Sequence, residues 1–218
     1  MNILLGFLSI IITFSLVVII ERLFKKEGLF VWISVITVIA NILVCKSIEI
    51  LGFVTCLGNV SFASNFLASN ILCEKYSKED SIKAIRLGVF SSIIFIILTQ
   101  FALLFIPSNE DLVQNSMKTL FSINLRTSIA SISMYYISNI LSINIYEKIK
   151  KRIPKKKWIR NNVSTMVCNS LENYLFTTLA FIGIFDILTI ISIATVASVI
   201  EIVIAALDTP FLYLSTKK

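Results

Sequence analysis

Apolar positions along the chain gather into seven long runs, at about 3–20, 28–46, 55–73, 84–106, 120–146, 163–184 and 189–214. Each comes close to the ~20 residues that a helix needs to cross hydrocarbon. The pattern predicts an all-α, polytopic membrane helix bundle of seven transmembrane helices, with residues 1–218 forming a single domain. The fifth and seventh runs exceed the bilayer thickness and are expected to tilt or emerge into water. The first lacks a basic leader and a small-residue cleavage site, so it reads as a membrane helix and not as a signal peptide. Connections are short, and no fixed-period repeat, low-complexity tract or long linker separates the runs.

Polar residues interrupt five of the runs, and they do so in register. Asn162, Thr165, Asn169, Glu172, Asn173 and Phe176 advance by three or four residues, with one single step, and share a narrow sector of a 3.6-residue helix. Val163, Met166, Val167, Leu171 and Leu175 occupy the opposite face. The third run repeats the device with Asn59, Phe66, Asn70 and Glu74, and Ser69 lies beside them. The fifth aligns Ser131, Tyr135, Ser138, Asn139 and Ser142. The seventh spaces Glu201, Ala205 and Asp208 on one side, and the second places Asn41, Cys45 and Glu49 at intervals of four. The first and fourth runs are nearly clean apart from Gln100, which predicts a peripheral position for both. Stripes of this kind face a bundle interior or a wet cavity.

Packing explains part of this. Ser, Thr and Asn join membrane helices at ~0.6 kcal/mol each, and the serines of the fifth run together with Cys45 and Cys168 need no other account. Glu172 and Glu201 differ, because a carboxyl at a helix centre costs about 2.5–3.5 kcal/mol even on the insertion scale. A site explains that expense better than adhesion does. Glu49, Glu74 and Asp208 lie near helix ends, where snorkelling or capping is an adequate alternative. Arg126 could pair with a lipid phosphate or with a carboxylate.

Composition sharpens the class. Of 218 residues 56% are hydrophobic and only 15% charged, and the mean hydropathy is +0.88. A water-soluble domain usually carries about 25% charged residues. All 20 Lys and Arg except Lys46, Lys118 and Arg126 fall on connections one, three and five or at the C-terminus. Basic residues stay cytoplasmic, so the N-terminus is expected outside and the C-terminus inside. The run "KIKKRIPKKKWIR" and the net charge of +7 then mark a topological anchor beside anionic lipid, not a nucleic-acid surface. The chain has no histidine, and its four cysteines show no CxxC spacing, which excludes His-based catalysis and offers no zinc set. No GxxxxGK[ST] loop exists, so the chain itself is not expected to use ATP. No catalytic residue, metal or cofactor is called for.

The stripes carry amides, hydroxyls and carboxylates among Phe62, Phe66, Tyr135, Tyr136 and Phe176. Such groups read donor and acceptor edges while aromatic faces stack on flat rings. A planar, polar heterocycle suits them better than a bare ion or a sugar, and a carboxylate matches adjacent N–H donors of a guanine-like edge.

Five segments then carry a resemblance: "ANILVCKSIEILGFVTCLGN", "FLASNILCEKY", Arg126 followed by "IASISMYYISNIL", "WIRNNVSTMVCNSLENYLFTTLAFIG" and "ALDTPFLYL". Over residues 28–214 the chain resembles the queuosine precursor transporter family, also called the vitamin-uptake-transporter family. The resemblance implies bacterial inner-membrane uptake of 7-deazaguanine bases or queuine, and a six-helix core similar to the substrate-binding subunits of energy-coupling-factor transporters. Residues 1–20 would add a peripheral N-terminal helix. Where this chain has Asn70, Ser142, Asn169, Glu172 and Glu201, the family pattern has Asp, Asp, Gln, Asp and Lys; Asn162, Ser164, Thr165 and Asp208 agree.

The combined expectation is an importer working by alternating access without its own ATPase. Glu172, Asn169, Asn70, Asn162, Thr165, Asn173, Phe66, Phe176 and Tyr135 are the candidate substrate-binding residues. Glu74, Glu201, Asp208 and Arg126 are candidates for charge compensation or proton relay. Expected partners are a nucleobase-like small molecule and the lipid bilayer, with no ATPase partner required; a homodimer is allowed. Two rival readings are a vitamin- or nucleobase-binding subunit that needs an external ATPase module, and an intramembrane acid protease built on Glu172 and Glu201. The protease lacks the Asp-centred paired motifs that known aspartyl types carry.

Overall fold

The computed structural model describes residues 1–50, 53–121 and 125–217, with the side chains of 47, 50, 53, 54, 56 and 125–128 left aside. Helices dominate: α1 (Asn2–Leu43), α2 (Asn59–Lys75), α3 (Lys78–Leu103), α4 (Gln114–Phe121), α5 (Leu125–Arg152), α6 (Lys157–Phe181) and α7 (Ile187–Thr216). Between α1 and α2 lies an antiparallel pair of strands, β1 (Ser47–Ile50) and β2 (Phe53–Cys56).

As one straight rod, the 42 residues of α1 would run ~63 Å, about twice the hydrocarbon thickness. They do not form one rod. At Lys25 the backbone leaves the helical region, with φ 55° and ψ −138°, and α1 divides into two legs. The positive φ is costly for a residue with a Cβ. At the turn the backbone of Gly28 lies so close to Ile20 that a Cβ there would meet the Ile20 carbonyl oxygen at 2.6 Å. In a continuous helix eight residues span ~12 Å, so the contact requires the break. The two legs correspond to the first two apolar runs.

The hairpin corrects the purely helical expectation. Residues 55–56, placed by the sequence in the third span, belong to β2, paired Ile48↔Thr55 and Glu49↔Val54. Ile48, Ile50, Val54 and Thr55 are β-branched and suit strands. Glu49 therefore leaves the helical stripe assigned to it, as does Cys45, which lies in the turn beyond the end of α1; of that stripe only Asn41 is helical. Residues 120–121 likewise close the short helix α4 instead of opening the fifth span.

Helix ends follow local chemistry. Ser77 caps α3 by accepting the Asp80 N–H at 3.0 Å, with Glu79 and Asp80 in the first turn. Asp186 caps α7 by accepting the N–H groups of Leu188 and Thr189 at 3.1 and 3.0 Å. Pro154 stands between the end of α5 and the start of α6, where no helical N–H is needed.

α2 is the hub. Every residue from Ala63 to Cys73 is buried, and α1, α3, α5 and α7 all pack on it. Phe14, Ile33, Leu67, Leu72, Ile143 and Leu212 belong to the shared core. The first leg of α1 and α3 each bury one stripe and expose large apolar side chains elsewhere, among them Leu4, Phe7, Phe90 and Leu98. That surface suits lipid and not water. By length and composition α1, α3 and α7 can each cross a membrane. The structure is thus a helical membrane bundle carrying one small hairpin.

Candidate functional site

The polar faces of α2, α5, α6 and α7 turn inward. On α6 the sequence alternates apolar and polar with helical period, and Thr165 and Asn169 are buried while Val163, Val167, Leu171 and Leu175 face outward. α5 and α6 run antiparallel, which brings Ser138 opposite Glu172, and the serine hydroxyl donates to Glu172 Oε2 at 2.5 Å. On the other flank of α6, Asn173 Nδ2 donates to Glu201 Oε2 on α7 at 2.9 Å. Each mid-bundle carboxylate thus has a hydrogen-bond donor from an adjacent helix.

Two turns away a second group of residues links α2, α6 and α7. Asn70 Nδ2 donates to Asn161 Oδ1 at 2.8 Å and to Thr165 Oγ1 at 3.1 Å. Asn161 Nδ2 donates to Asp208 Oδ1 and to Thr209 Oγ1. Thr209 in turn donates to Asn162 Oδ1 at 3.1 Å. Asn70, Asn162, Thr165 and Asp208, all singled out by the sequence, meet here. Asn169 lies one turn from Thr165, and Glu172 lies less than a turn further.

Several buried acceptors remain open. Among the described residues, Asn65 Oδ1, Asn70 Oδ1, Asn139 Oδ1, Asn169 Oδ1 and Asp208 Oδ2 have no hydrogen-bond partner, nor do the hydroxyls of Ser142 and Ser198. Buried polar atoms are normally satisfied, so these oxygens and hydroxyls retain hydrogen-bonding capacity that a water or a ligand can complete.

The remaining sequence candidates are distributed around these two groups. Tyr135 accepts a hydrogen bond from Thr37 at 3.2 Å and lines a narrow cleft with Thr37, Asn41, Phe62, Val89, Ser92, Ser131 and Ile132. Its ring centroid lies 6.5 Å from that of Phe62. Phe66 is buried one turn before Asn70, and Phe176 is half-buried one turn beyond Glu172. The side chain of Arg126 lies outside the described residues. Glu74 is held by Arg160, whose Nη2 lies 2.7 and 2.8 Å from its two oxygens and whose Nε lies 3.1 Å from one of them. Tyr146 adds a hydrogen bond to Glu74 at 3.0 Å, and Lys157 stands 3.6 Å away.

Asn161, Thr209, Arg160 and Glu21 were not among the sequence candidates. Asn161 had a signal, since it precedes Thr165 and Asn169 by four and eight residues on one face. Arg160 was indistinguishable from the basic anchor around it. Glu21, fully buried, receives Lys75 at 2.6 Å, Tyr76 at 2.8 Å and Ser215 at 3.0 Å; only the folded bundle brings these together.

With this geometry in view the chain was compared with known proteins. A family described as "Putative vitamin uptake transporter" matches residues 56–215. The chain belongs to the vitamin uptake transporter family. A relative from Bacillus subtilis (strain 168), named "Probable queuosine precursor transporter", is 32% identical over 209 residues, covering 95% of this chain and 91% of that protein. No solved structure matches. As a member of the vitamin uptake transporter family, this is a multi-pass membrane transport protein for a small molecule and not an enzyme.

Proposed function

We propose that this chain imports a queuosine precursor, a 7-deazaguanine base or queuine, across the bacterial inner membrane. The open acceptors between α2, α5, α6 and α7 carry the reading. They suit a planar ligand rich in N–H donors, which a guanine-type edge supplies. The name of the Bacillus subtilis relative supports the same substrate class.

In this reading Glu172 and Asn169 take the donors of the base edge together with Asn70. Asn162, Thr165 and Asn173 complete the polar wall, and Phe66, Phe176 and Tyr135 hold the faces of the ring. Glu201 and Asp208 balance charge or pass a proton as the site changes sides, while Glu74 and Arg126 contribute charge near the two ends. The two legs of α1 with α2, α3, α5, α6 and α7 make seven spans, with the N-terminus outside and the basic connections inside. Residues 28–214 form a core similar to the energy-coupling-factor substrate subunits, preceded by the first leg. Alternating access moves the site between the two sides without an ATPase partner, in a monomer or a homodimer.

Uptake of labelled queuine into cells that lack de novo synthesis tests this. Expression of the chain should raise uptake well above vector, and Glu172→Ala should abolish the gain at equal membrane abundance. Uptake no better than vector would remove the substrate assignment. Uptake that appears only with a co-expressed ATPase module would replace the stand-alone mechanism with a subunit role.

A further inference from the structure

We infer that Asp208 and Asn161 act as positioning residues that fix which edge of a ligand this protein accepts. The inference rests on the substrate reading above and adds to it a reason for specificity. It follows from the direction of the hydrogen bonds.

Asp208 Oδ1 and Thr209 Oγ1 take both hydrogens of the Asn161 amide nitrogen. Thr209 spends its own hydrogen on Asn162 Oδ1, so it can only accept from Asn161. The Asn161 amide oxygen is therefore turned toward Asn70. Asn70 answers with its nitrogen, and both of its hydrogens are used, on Asn161 Oδ1 and Thr165 Oγ1. What remains of Asn70 is its amide oxygen, fully buried and without a partner.

An asparagine by itself presents a donor or an acceptor with equal ease, since a half-turn of the amide exchanges them. Here a carboxylate two links away removes that freedom. A flip of Asn70 would set its oxygen against the Asn161 oxygen, and a flip of Asn161 would set its oxygen against Asp208. The site accordingly offers an acceptor at Asn70 and takes a ligand that brings an N–H to it. A ligand with a bare ring nitrogen at that place leaves two acceptors facing each other in a buried setting, which is the arrangement that sites reject most strongly.

The test uses two probes of the same ring, 7-deazaguanine with its N1–H and 2-amino donors, and 7-deazaadenine, whose N1 is an acceptor. Binding of each to the purified full-length protein in lipid nanodiscs is measured by calorimetry. The wild type should prefer 7-deazaguanine by about 20-fold, the scale of one correct hydrogen-bonded pair. Asp208→Asn should narrow the ratio to within about threefold, chiefly by a gain for 7-deazaadenine, because Asn161 and Asn70 can then turn together. Asn161→Ala, a substitution on α6, should narrow it in the same way.

A structural role for Asp208 would weaken both probes alike. An unchanged ratio in both Asp208→Asn and Asn161→Ala overturns this inference and leaves the substrate reading standing. A wild type that binds neither probe overturns both.

Discussion

Two regions of this bundle bury polar groups and treat them in opposite ways. At the basic end, Arg160 is only 2% exposed, yet every face of its guanidinium is occupied. Nε and Nη2 hold Glu74, and Nη1 donates to the carbonyls of Pro154 and Ile153 at 2.9 and 3.3 Å. The next residue along α2, Lys75, pairs with buried Glu21 on the other flank. In the middle of the bundle, Asn70, Asn139 and Asn169 keep amide oxygens unpartnered. Satisfied charge fastens α2 to α5 and α6 on one side and to α1 and α7 on the other; the amide oxygens in the middle keep hydrogen-bonding capacity in reserve.

The largest effect should come from breaking the closed region. Arg160→Ala leaves Glu74 with the Tyr146 hydroxyl and Lys157 at 3.6 Å in place of its closest cation, and loss of about 3 kcal/mol is expected, seen as a lower thermal midpoint in detergent or as failure to accumulate in the membrane. Replacing both members, as Glu74→Met with Arg160→Met, should recover most of that loss, because well-packed apolar side chains substitute for a buried pair at little net cost. If the double variant were as unstable as Arg160→Ala, the charged pair would itself be required for the fold and not merely replaceable as a fastening.

How much of this was legible beforehand differs between the two regions for a physical reason. The stripes of α2, α5, α6 and α7 are periodic, and period is what a sequence displays, so the inward faces and the outward Val163 and Val167 could be read directly. The Arg160–Glu74 and Lys75–Glu21 pairs join residues 86 and 54 positions apart, and no local pattern announces them. Arg160 looked like one more cation among its basic neighbours. The hairpin was hidden because β-branched apolar residues satisfy a span and a strand equally well over so short a stretch. The direction of the Asn161 and Asn70 amides could not be read at all, since it depends on which atom of a distant helix lies opposite.

A smaller effect of opposite sign should come from the open region. Asn169→Leu exchanges a buried amide, whose oxygen has no partner, for an apolar side chain of similar size. Stability should hold or rise by about 1 kcal/mol, since an unsatisfied buried acceptor is removed. Queuine uptake should nonetheless fall at least tenfold, roughly the worth of one lost specific hydrogen bond in a desolvated site. Stability that rises while transport falls is the behaviour of a binding residue, where function is held at the expense of packing. A loss of stability would place Asn169 with the fastening groups instead.

The smallest effect should come from the surface that belongs to neither region. Val167 is 50% exposed on the outward face of α6 and aligned with Val163 and Leu171. Against lipid, Val167→Leu should change stability by no more than about 0.5 kcal/mol and leave uptake unaltered, because acyl chains accommodate an added methylene. Against a second protein surface the same methylene would overpack, at a cost of about 1–3 kcal/mol. The substitution therefore separates two environments that look alike in a single chain. A near-zero change leaves α6 facing acyl chains, and a change above 1 kcal/mol, accompanied by a shift in oligomeric mass, would mean that a second copy packs along it.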